Sequence, residues 1–344
     1  MSKSIIRALI ITSLISVLFA QGSAEFERLA NVLLDGAAWN VAHGEDGMVF
    51  LANNQDGLRG FSFRDSLFVS QAHVPGDHET AIAVDVAVGQ DGTVFLANYL
   101  DGLLAYTFDG INFNEIAHEN SGGEVVTLAL DAEGRIFVAD QTGGILVYDY
   151  DGTSFSLITS FGSFARCIAV KDSMVLASTE LGLTALHFDG TSLTLLDSIE
   201  LEYQIRDVCI GSEGLLYVAN DRGGLGVYTL QGSTLMEETS IVPLPVDEND
   251  DIRCSDVEIG DDGTIFVTLN EGGLCAYQLI ESTLVEVDRI NDGWSEMGGA
   301  FGLSVGADGN VFVAKSWNGL FAYQFQDETF TSVASINEGG YVYW

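Results

Sequence analysis

The amino-acid sequence predicts an all-β fold, a seven-bladed β-propeller with four antiparallel strands in each blade. A hairpin of the type VFLANYLDGLLAYTFDG, residues 94–110, occurs seven times, with 38 to 49 residues between successive copies. That spacing is typical of one propeller blade. In every copy a glycine follows the first hairpin residue at the same distance. These glycines are Gly57, Gly102, Gly144, Gly182, Gly224, Gly273 and Gly319.

Each repeat contains the elements of one blade in a fixed order. A short strand of small and β-branched residues, such as VDVAVG from Val84, precedes the hairpin and suits an inner strand packed on both faces. A glycine turn such as QDG connects it to the hairpin. After the hairpin, a second turn such as Phe108-Asp109-Gly110 leads to a fourth strand such as NFNEIA.

The amino terminus is predicted to be a secretory signal peptide over residues 1–24. Lys3 and Arg7 form a basic start, Leu9–Phe19 is an apolar run, and Gly22-Ser23-Ala24 suits a cleavage site. The run is shorter than the ~20 residues that span a bilayer. We therefore expect an exported protein, periplasmic or extracellular, with no membrane span. Residues 25–344 contain no linker-like segment and are expected to form a single propeller domain.

Two segments compete for the last strand position of the ring. Phe26–Asn31, FERLAN, resembles the fourth strands of the repeats, and so does Phe330–Ser335, FTSVAS. The sequence leaves open which of the two closes the ring.

The net charge of −37 restricts the partners. An acidic surface repels phosphate backbones and anionic lipid, so nucleic acid is not an expected partner. The same charge favours solubility and association with calcium.

The four cysteines leave two interpretations open. Cys167, Cys209 and Cys254 stand in the first strands of successive repeats, and Cys275 stands in a third strand. An exported compartment permits disulfides. First strands of different blades diverge, however, which favours buried free thiols.

The repeat resembles that of LVIVD-repeat propellers. The resemblance rests on VFLANYLDGLLAYTFDG and on LYVANDRGGLGVYTLQG, residues 216–232, and covers nearly the whole chain after residue 24. It implies an exported bacterial propeller and no particular activity. An aromatic or aliphatic residue often replaces the aspartate of that pattern, as in AYTF and AYQF.

The mouth of the central channel is the first candidate site. The first strands begin there with Asn40, Asp85, Thr127, Cys167, Asp207, Asp256 and Gly302. Asp85, Asp207 and Asp256 form a candidate site for a cation such as calcium, which binds several oxygens. Aspartates at strand starts also accept hydrogen bonds from nearby backbone amides, so a structural role stays open.

Longer loops on the same face supply further candidates. His73, His78 and His118 suit a zinc or acid–base cluster, or are solvated loop residues. Trp294 and Trp317, beside carboxylates, are candidates for contact with a sugar or a peptide. On the opposite face the links are tight turns such as Gly89–Gly92, which leave little material for a site.

The sequence predicts a binding or interaction module rather than an enzyme. No GxSxG or HExxH motif occurs in a suitable context. The expected partner is a protein, peptide or carbohydrate in the exported compartment, bound by a monomer on the face of the channel mouth. The alternative is a propeller hydrolase or lactonase with a calcium-type cation at the mouth.

Overall fold

The computed structural model describes residues 36–44, 47–76, 80–211, 214–245, 252–291, 301–306 and 308–336. These residues form 28 β-strands and contain no α-helix. Within them, no helix is long and apolar enough to cross a membrane. The predicted signal peptide and the segment Phe26–Asn31 lie outside the described residues.

The strands fall into seven consecutive groups of four, numbered here as blades 1 to 7. Blades 1 to 3 contain β1 (Asn40–His43), β2 (Met48–Ala52), β3 (Leu58–Arg64), β4 (Leu67–Val74), β5 (Ala81–Val88), β6 (Val94–Tyr99), β7 (Leu103–Phe108), β8 (Phe113–Glu119), β9 (Val125–Leu130), β10 (Ile136–Asp140), β11 (Gly144–Tyr150) and β12 (Phe155–Phe161). Blades 4 and 5 contain β13 (Ala165–Lys171), β14 (Met174–Thr179), β15 (Gly182–Phe188), β16 (Leu193–Ile199), β17 (Asp207–Ile210), β18 (Leu215–Ala219), β19 (Leu225–Gln231) and β20 (Thr234–Ile241). Blades 6 and 7 contain β21 (Cys254–Ile259), β22 (Ile265–Leu269), β23 (Gly273–Ile280), β24 (Thr283–Ile290), β25 (Gly302–Val305), β26 (Asn310–Ala314), β27 (Leu320–Gln326) and β28 (Thr329–Ile336).

Within each blade the strands pair antiparallel in chain order, as the repeat predicts. A single pair of residues, Tyr99 and Val125, links the sheets of blades 2 and 3. Burial falls from the inner strands to the outer one. The second strand β10 is buried at every position, whereas the fourth strand β12 is partly or fully exposed throughout. The seven-bladed fold is confirmed.

Every blade carries a β-bulge at the same place, between its third and fourth strands. The register shifts beside Phe61, Tyr106, Tyr148, Leu186, Tyr228, Tyr277 and Tyr323. A bulge adds one residue on one strand and increases the local twist. The shared bulge therefore gives every blade the same added twist at its outer edge.

The apolar core is divided among the interfaces between blades. Each of seven clusters combines residues of two neighbouring blades. One of them joins blade 1, through Val41 and Leu51, to blade 7, through Phe312 and Ala322. Ala38 and Ser316 add two backbone hydrogen bonds of 2.9 and 3.0 Å between the same blades. The ring therefore closes by packing of blade 7 on blade 1, and β28 provides the fourth strand of blade 7.

The repeated glycine is required by its backbone conformation. All seven copies have a positive φ, between 80° and 94°. At Gly102 an added Cβ would also overlap the carbonyl oxygen of Glu119. Glycine is the residue that adopts this conformation without strain, which explains its fixed offset in the sequence.

All four cysteines are free, and Cys167, Cys254 and Cys275 are buried. They act as small apolar residues of the blade interfaces, as the diverging first strands suggest.

Candidate functional site

Asp85, the first of the predicted metal ligands, links two blades. Its Oδ1 accepts hydrogen bonds from the Val86 N–H at 2.8 Å and the Asn40 side-chain amide at 2.5 Å. Its Oδ2 accepts the N–H of Leu128, in the first strand of the next blade, at 2.8 Å. Burial outweighs these bonds and raises the pKa of Asp85 to about 7. Both oxygens are thus occupied by protein donors.

The other carboxyl groups of the channel wall repeat this arrangement. Asp207 accepts the N–H of Val257 at 3.1 Å, and Asp256 accepts the N–H of Leu303 at 3.0 Å. Glu258 accepts the N–H of Val305 at 2.7 Å. In every case the donor lies in the first strand of the following blade. These carboxyl groups form the set called here the wall carboxyls: Asp85, Asp207, Asp256 and Glu258.

Asp207 and Asp256 also bind each other. Burial raises the pKa of Asp256 well above its usual value, and the adjacent charge of Asp207 raises it further. The hydrogen bond between the two carboxyl groups favours the protonated form of Asp256. Among the described residues, no group of three or more His, Cys, Asp or Glu side chains is arranged to hold a metal ion. Calcium at Asp85, Asp207 and Asp256 stays a prediction, which metal analysis of the purified protein would check.

The two described histidines of the predicted cluster are each held within their own blade. His73 Nε2 lies 2.6 Å from the carbonyl oxygen of Asp56 and 3.3 Å from its carboxylate. His118 Nε2 lies 2.6 Å from the carbonyl oxygen of Asp101 and 3.4 Å from its carboxylate. Each histidine ties a fourth strand to the turn between the second and third strands of the same blade. His78 lies outside the described residues.

Of the two tryptophans of the prediction, the structure describes Trp317. Trp317 is half-buried in the turn between β26 and β27. Trp294 lies outside the described residues.

A pocket of about 370 Å³ opens at the channel mouth, next to the first-strand residues that the sequence predicted as a site. Its wall includes the residues that directly precede them in all seven repeats, which are Trp39, Val84, Val126, Arg166, Arg206, Ser255 and Phe301. Arg253 lines it as well. This cavity is called here the mouth pocket.

Three arginines give one side of the mouth pocket a positive charge. Arg206 Nη2 lies 3.0 Å from Asp221 Oδ2, and Arg253 Nε lies 3.8 Å from Asp221 Oδ1. Arg166, in contrast, forms no ion pair among the described residues. Its guanidinium donates to the side-chain oxygen of Gln204 at 3.0 and 3.1 Å when that amide is oriented to accept.

The arginine side of the pocket is electrostatically unbalanced. Burial, and then the charge of Arg206, lower the pKa of Arg166. The charge of Arg206 thus acts on Arg166 in the same direction as burial and disfavours its charged form. An anion placed between the two guanidinium groups would relieve their repulsion.

The opposite side of the mouth pocket is apolar. The rings of Trp39 and Phe301 have centroids 6.3 Å apart, and these residues are 38% and 44% exposed. Val84 and Val126 continue this wall. Large apolar residues left accessible beside a polar group suit contact with a ligand.

The remaining lining is polar and includes four of the predicted first-strand residues, Asn40, Thr127, Asp207 and Asp256, together with three further side chains. Gln141, Ser255 and Asn270 are half-buried, and their side chains form no hydrogen bond with any described residue. The mouth pocket thus offers cations, an aromatic wall and free amide and hydroxyl groups within one cavity.

A larger groove lies on the opposite face, where the tight turns were expected to leave little material for a site. It has a volume of about 910 Å³ and is lined by turns of blades 7, 1 and 2. Two of its turn carboxylates are satisfied locally, since Asp91 accepts the Thr93 N–H at 2.9 Å and Asp308 accepts the Asn310 N–H at 3.1 Å. His43 is bound there to Ser304 at 2.8 Å. The mouth pocket is the stronger candidate because its charges are not satisfied in this way.

Comparison with known proteins supports the fold alone. No family model matches this chain, and no curated protein matches it. A streptogramin B lyase structure is similar with a TM-score of 0.63 and 15% identity, covering 83% of this chain and 93% of the other. A protein from Lactobacillus plantarum has a TM-score of 0.70 and 12% identity, covering 89% and 98%. The WD40 β-propeller domain of Doa1 has a TM-score of 0.65 and 10% identity, covering 86% and 95%.

Proposed function

We propose that this protein is a binding module that holds a small organic anion in the mouth pocket. The observation that carries the proposal is that Arg166, Arg206 and Arg253 line one cavity, where Arg206 and Arg253 both pair with Asp221 and Arg166 forms no ion pair among the described residues. Arginine presents a planar fork of donors that matches a carboxylate with two parallel hydrogen bonds. These arginines therefore suit an anionic group better than a neutral one.

The acidic surface does not oppose this proposal. The whole chain carries a formal charge of −37, but exposed charges more than about 8 Å away are largely screened at physiological ionic strength. A carboxylate about 4 Å from a guanidinium gains roughly 4 kcal/mol at an effective dielectric constant of 20. The local arginines thus decide binding at the mouth, and the surface charge limits the rate of approach.

Export to the periplasm or the extracellular space remains part of the proposal, on the pattern of residues 1–24. The hydrolase alternative requires a cation at the wall carboxyls. One oxygen of each of Asp85, Asp207 and Asp256 already accepts a backbone N–H, from Leu128, Val257 and Leu303, so a cation would compete with these hydrogen bonds. That competition favours binding over metal-dependent hydrolysis.

The test is calorimetric titration of the purified protein with acetate, benzoate and inorganic phosphate. We expect at least one of these anions to bind, and Arg166→Gln or Arg206→Gln to weaken its binding at least tenfold. The matched control is Arg64→Gln, which removes the same charge from the opposite face. Equal loss in the control, or no anion binding by the unaltered protein, would refute the proposal.

A further inference from the structure

We propose that the anion is an acidic sugar, a uronate unit whose carboxylate binds Arg166 and Arg206 and whose ring lies on Trp39 and Phe301. This inference rests on the proposed function and specifies the ligand class. Three properties of the mouth pocket support it: the position of its charge, the character of its apolar wall and the free polar groups of its lining.

The charge and the apolar wall lie on different blades. Arg166 is the second residue of β13 in blade 4 and Arg206 directly precedes β17 in blade 5. Trp39 and Phe301 directly precede the first strands of blades 1 and 7. In a ring of seven blades these pairs stand on opposite sides of the channel mouth. A ligand that contacts both needs an anionic group at one end and a flat apolar surface at the other. A pyranose ring with a carboxylate substituent has both features.

The free polar groups distinguish a sugar from an aromatic acid. Gln141, Ser255 and Asn270 line the pocket, and their side chains have no hydrogen-bond partner in the described part of the chain. Asp207, on the floor of the same pocket, is half-buried. A bound aromatic acid would cover these groups without replacing their water, and leaving buried polar groups unsatisfied disfavours binding. Sugar hydroxyls both donate and accept, so they satisfy amide, hydroxyl and carboxyl groups alike.

The volume limits the size of the bound group. About 370 Å³ is near the lower end of the roughly 300–1,000 Å³ that is usual for small-molecule pockets. One or two sugar units fit such a cavity, and a longer chain would extend out of it over the face of the propeller. The inferred ligand is therefore a uronate or the acidic end of an oligosaccharide.

The experiment compares probes that differ in one property. Glucuronate and galacturonate carry the carboxylate and the hydroxyls, glucose and galactose lack the carboxylate, benzoate and N-acetylphenylalanine lack the sugar, and inorganic phosphate has only the charge. Calorimetric titration is expected to show that one uronate binds at least tenfold more tightly than its neutral sugar and than either apolar acid.

Variants then test the contacts. Trp39→Ala should weaken uronate binding at least fivefold and change phosphate binding less than twofold, because only the sugar uses the aromatic wall. The control is Leu100→Ala, an apolar residue that is 39% exposed in the turn between β6 and β7 on the same face and does not line the mouth pocket. It should leave both ligands unaffected.

The outcomes separate this inference from the proposed function. Preference for benzoate, N-acetylphenylalanine or phosphate, with loss of binding in Arg166→Gln, would refute the sugar and keep the anion site. Equal binding of glucose and glucuronate would show that the arginines are not used, and both proposals would fail. Binding of no probe would also overturn both.

Discussion

Two neighbouring positions in the same first strands are used in opposite ways. At one position stand wall carboxyls such as Asp85, whose oxygens are occupied by N–H groups of its own blade and of the next. One residue earlier in the repeat stand Arg166 and Arg206, whose charges exceed their partners in the described residues. Complete hydrogen bonding marks the first position as structural. Incomplete compensation marks the second as a site for a ligand.

Side-chain hydrogen bonds between the first strands of neighbouring blades hold the ring together near its axis. Contacts between first strands continue where no carboxylate is available. Thr127 donates to the carbonyl oxygen of Arg166 at 2.8 Å, and Ser304 accepts the N–H of His43 at 3.3 Å. The second of these joins blade 7 to blade 1. A side chain that bonds to the next blade is thus a general device of this channel, and an acidic side chain is one form of it.

The largest effect that separates the two positions is expected for Asp85→Ala. The substitution leaves the Asn40 amide and the N–H groups of Val86 and Leu128 without their acceptor. Each unsatisfied buried group costs about 1–3 kcal/mol, and some relaxation will occur. We expect the free energy of unfolding, measured by urea denaturation, to fall by about 3 kcal/mol.

The control for this substitution is Asp91→Ala on the opposite face. Asp91 accepts the Thr93 N–H within its own exposed turn, so its loss should cost less than about 1 kcal/mol. If Asp85→Ala cost no more than Asp91→Ala, the wall carboxyls would not stabilise the ring.

A smaller effect is expected from pH. Burial raises the pKa of Asp85 to about 7 and that of Glu258 to about 8. A carboxyl group whose pKa is raised by folding stabilises the fold fully below its unfolded pKa near 4. This stability is lost as the pH rises through the folded pKa. The free energy of unfolding should therefore be higher at pH 5 than at pH 8.5, by on the order of 2 kcal/mol.

Other groups affect the same pH window. The hydrogen bond to Asp56 raises the pKa of His73, which adds to the effect, whereas burial lowers the pKa of His43, which opposes it. The net negative charge of the protein also decreases as the pH falls. Glu258→Gln isolates the contribution of Glu258, because it keeps an acceptor for the Val305 N–H and removes the titration of this carboxyl group. It should flatten the pH profile, whereas Glu202→Gln on the surface should not. A profile unchanged by Glu258→Gln would contradict the assignment.

The fold was predictable from the sequence because its constraints are local. A glycine such as Gly102 must have a positive φ at a fixed place in each hairpin, so the repeat is visible without any knowledge of contacts. The shared bulge was not predicted. The bulge lies beside residues as different as Leu186 and Tyr228, so no single residue type indicates it in the sequence.

The site was only half predictable. The sequence placed Asp85, Asp207 and Asp256 at the channel but did not show their partners, since the Leu128 N–H that Asp85 binds lies 43 residues away. The arginines were missed, although Arg stands directly before Cys167 and before Asp207 in successive repeats. A basic residue repeated at one position of so acidic a chain was the available signal. Whether its charge is compensated depends on Gln204 and Asp221, which only the folded geometry brings near.

The smallest expected effect is the change in the free energy of unfolding that Arg166→Gln causes. If the mouth position serves a ligand, removing its side chain should change the free energy of unfolding by no more than about 0.5 kcal/mol. Loss of the bonds to Gln204 is destabilising, but relief of the repulsion from Arg206 offsets it. The repulsion between Arg166 and Arg206 is strongest in low salt. Urea denaturation in low salt should therefore show the highest stability of the variant relative to the unaltered protein. A loss as large as that of Asp85→Ala would mean that Arg166 is structural, and the contrast between the two positions would disappear.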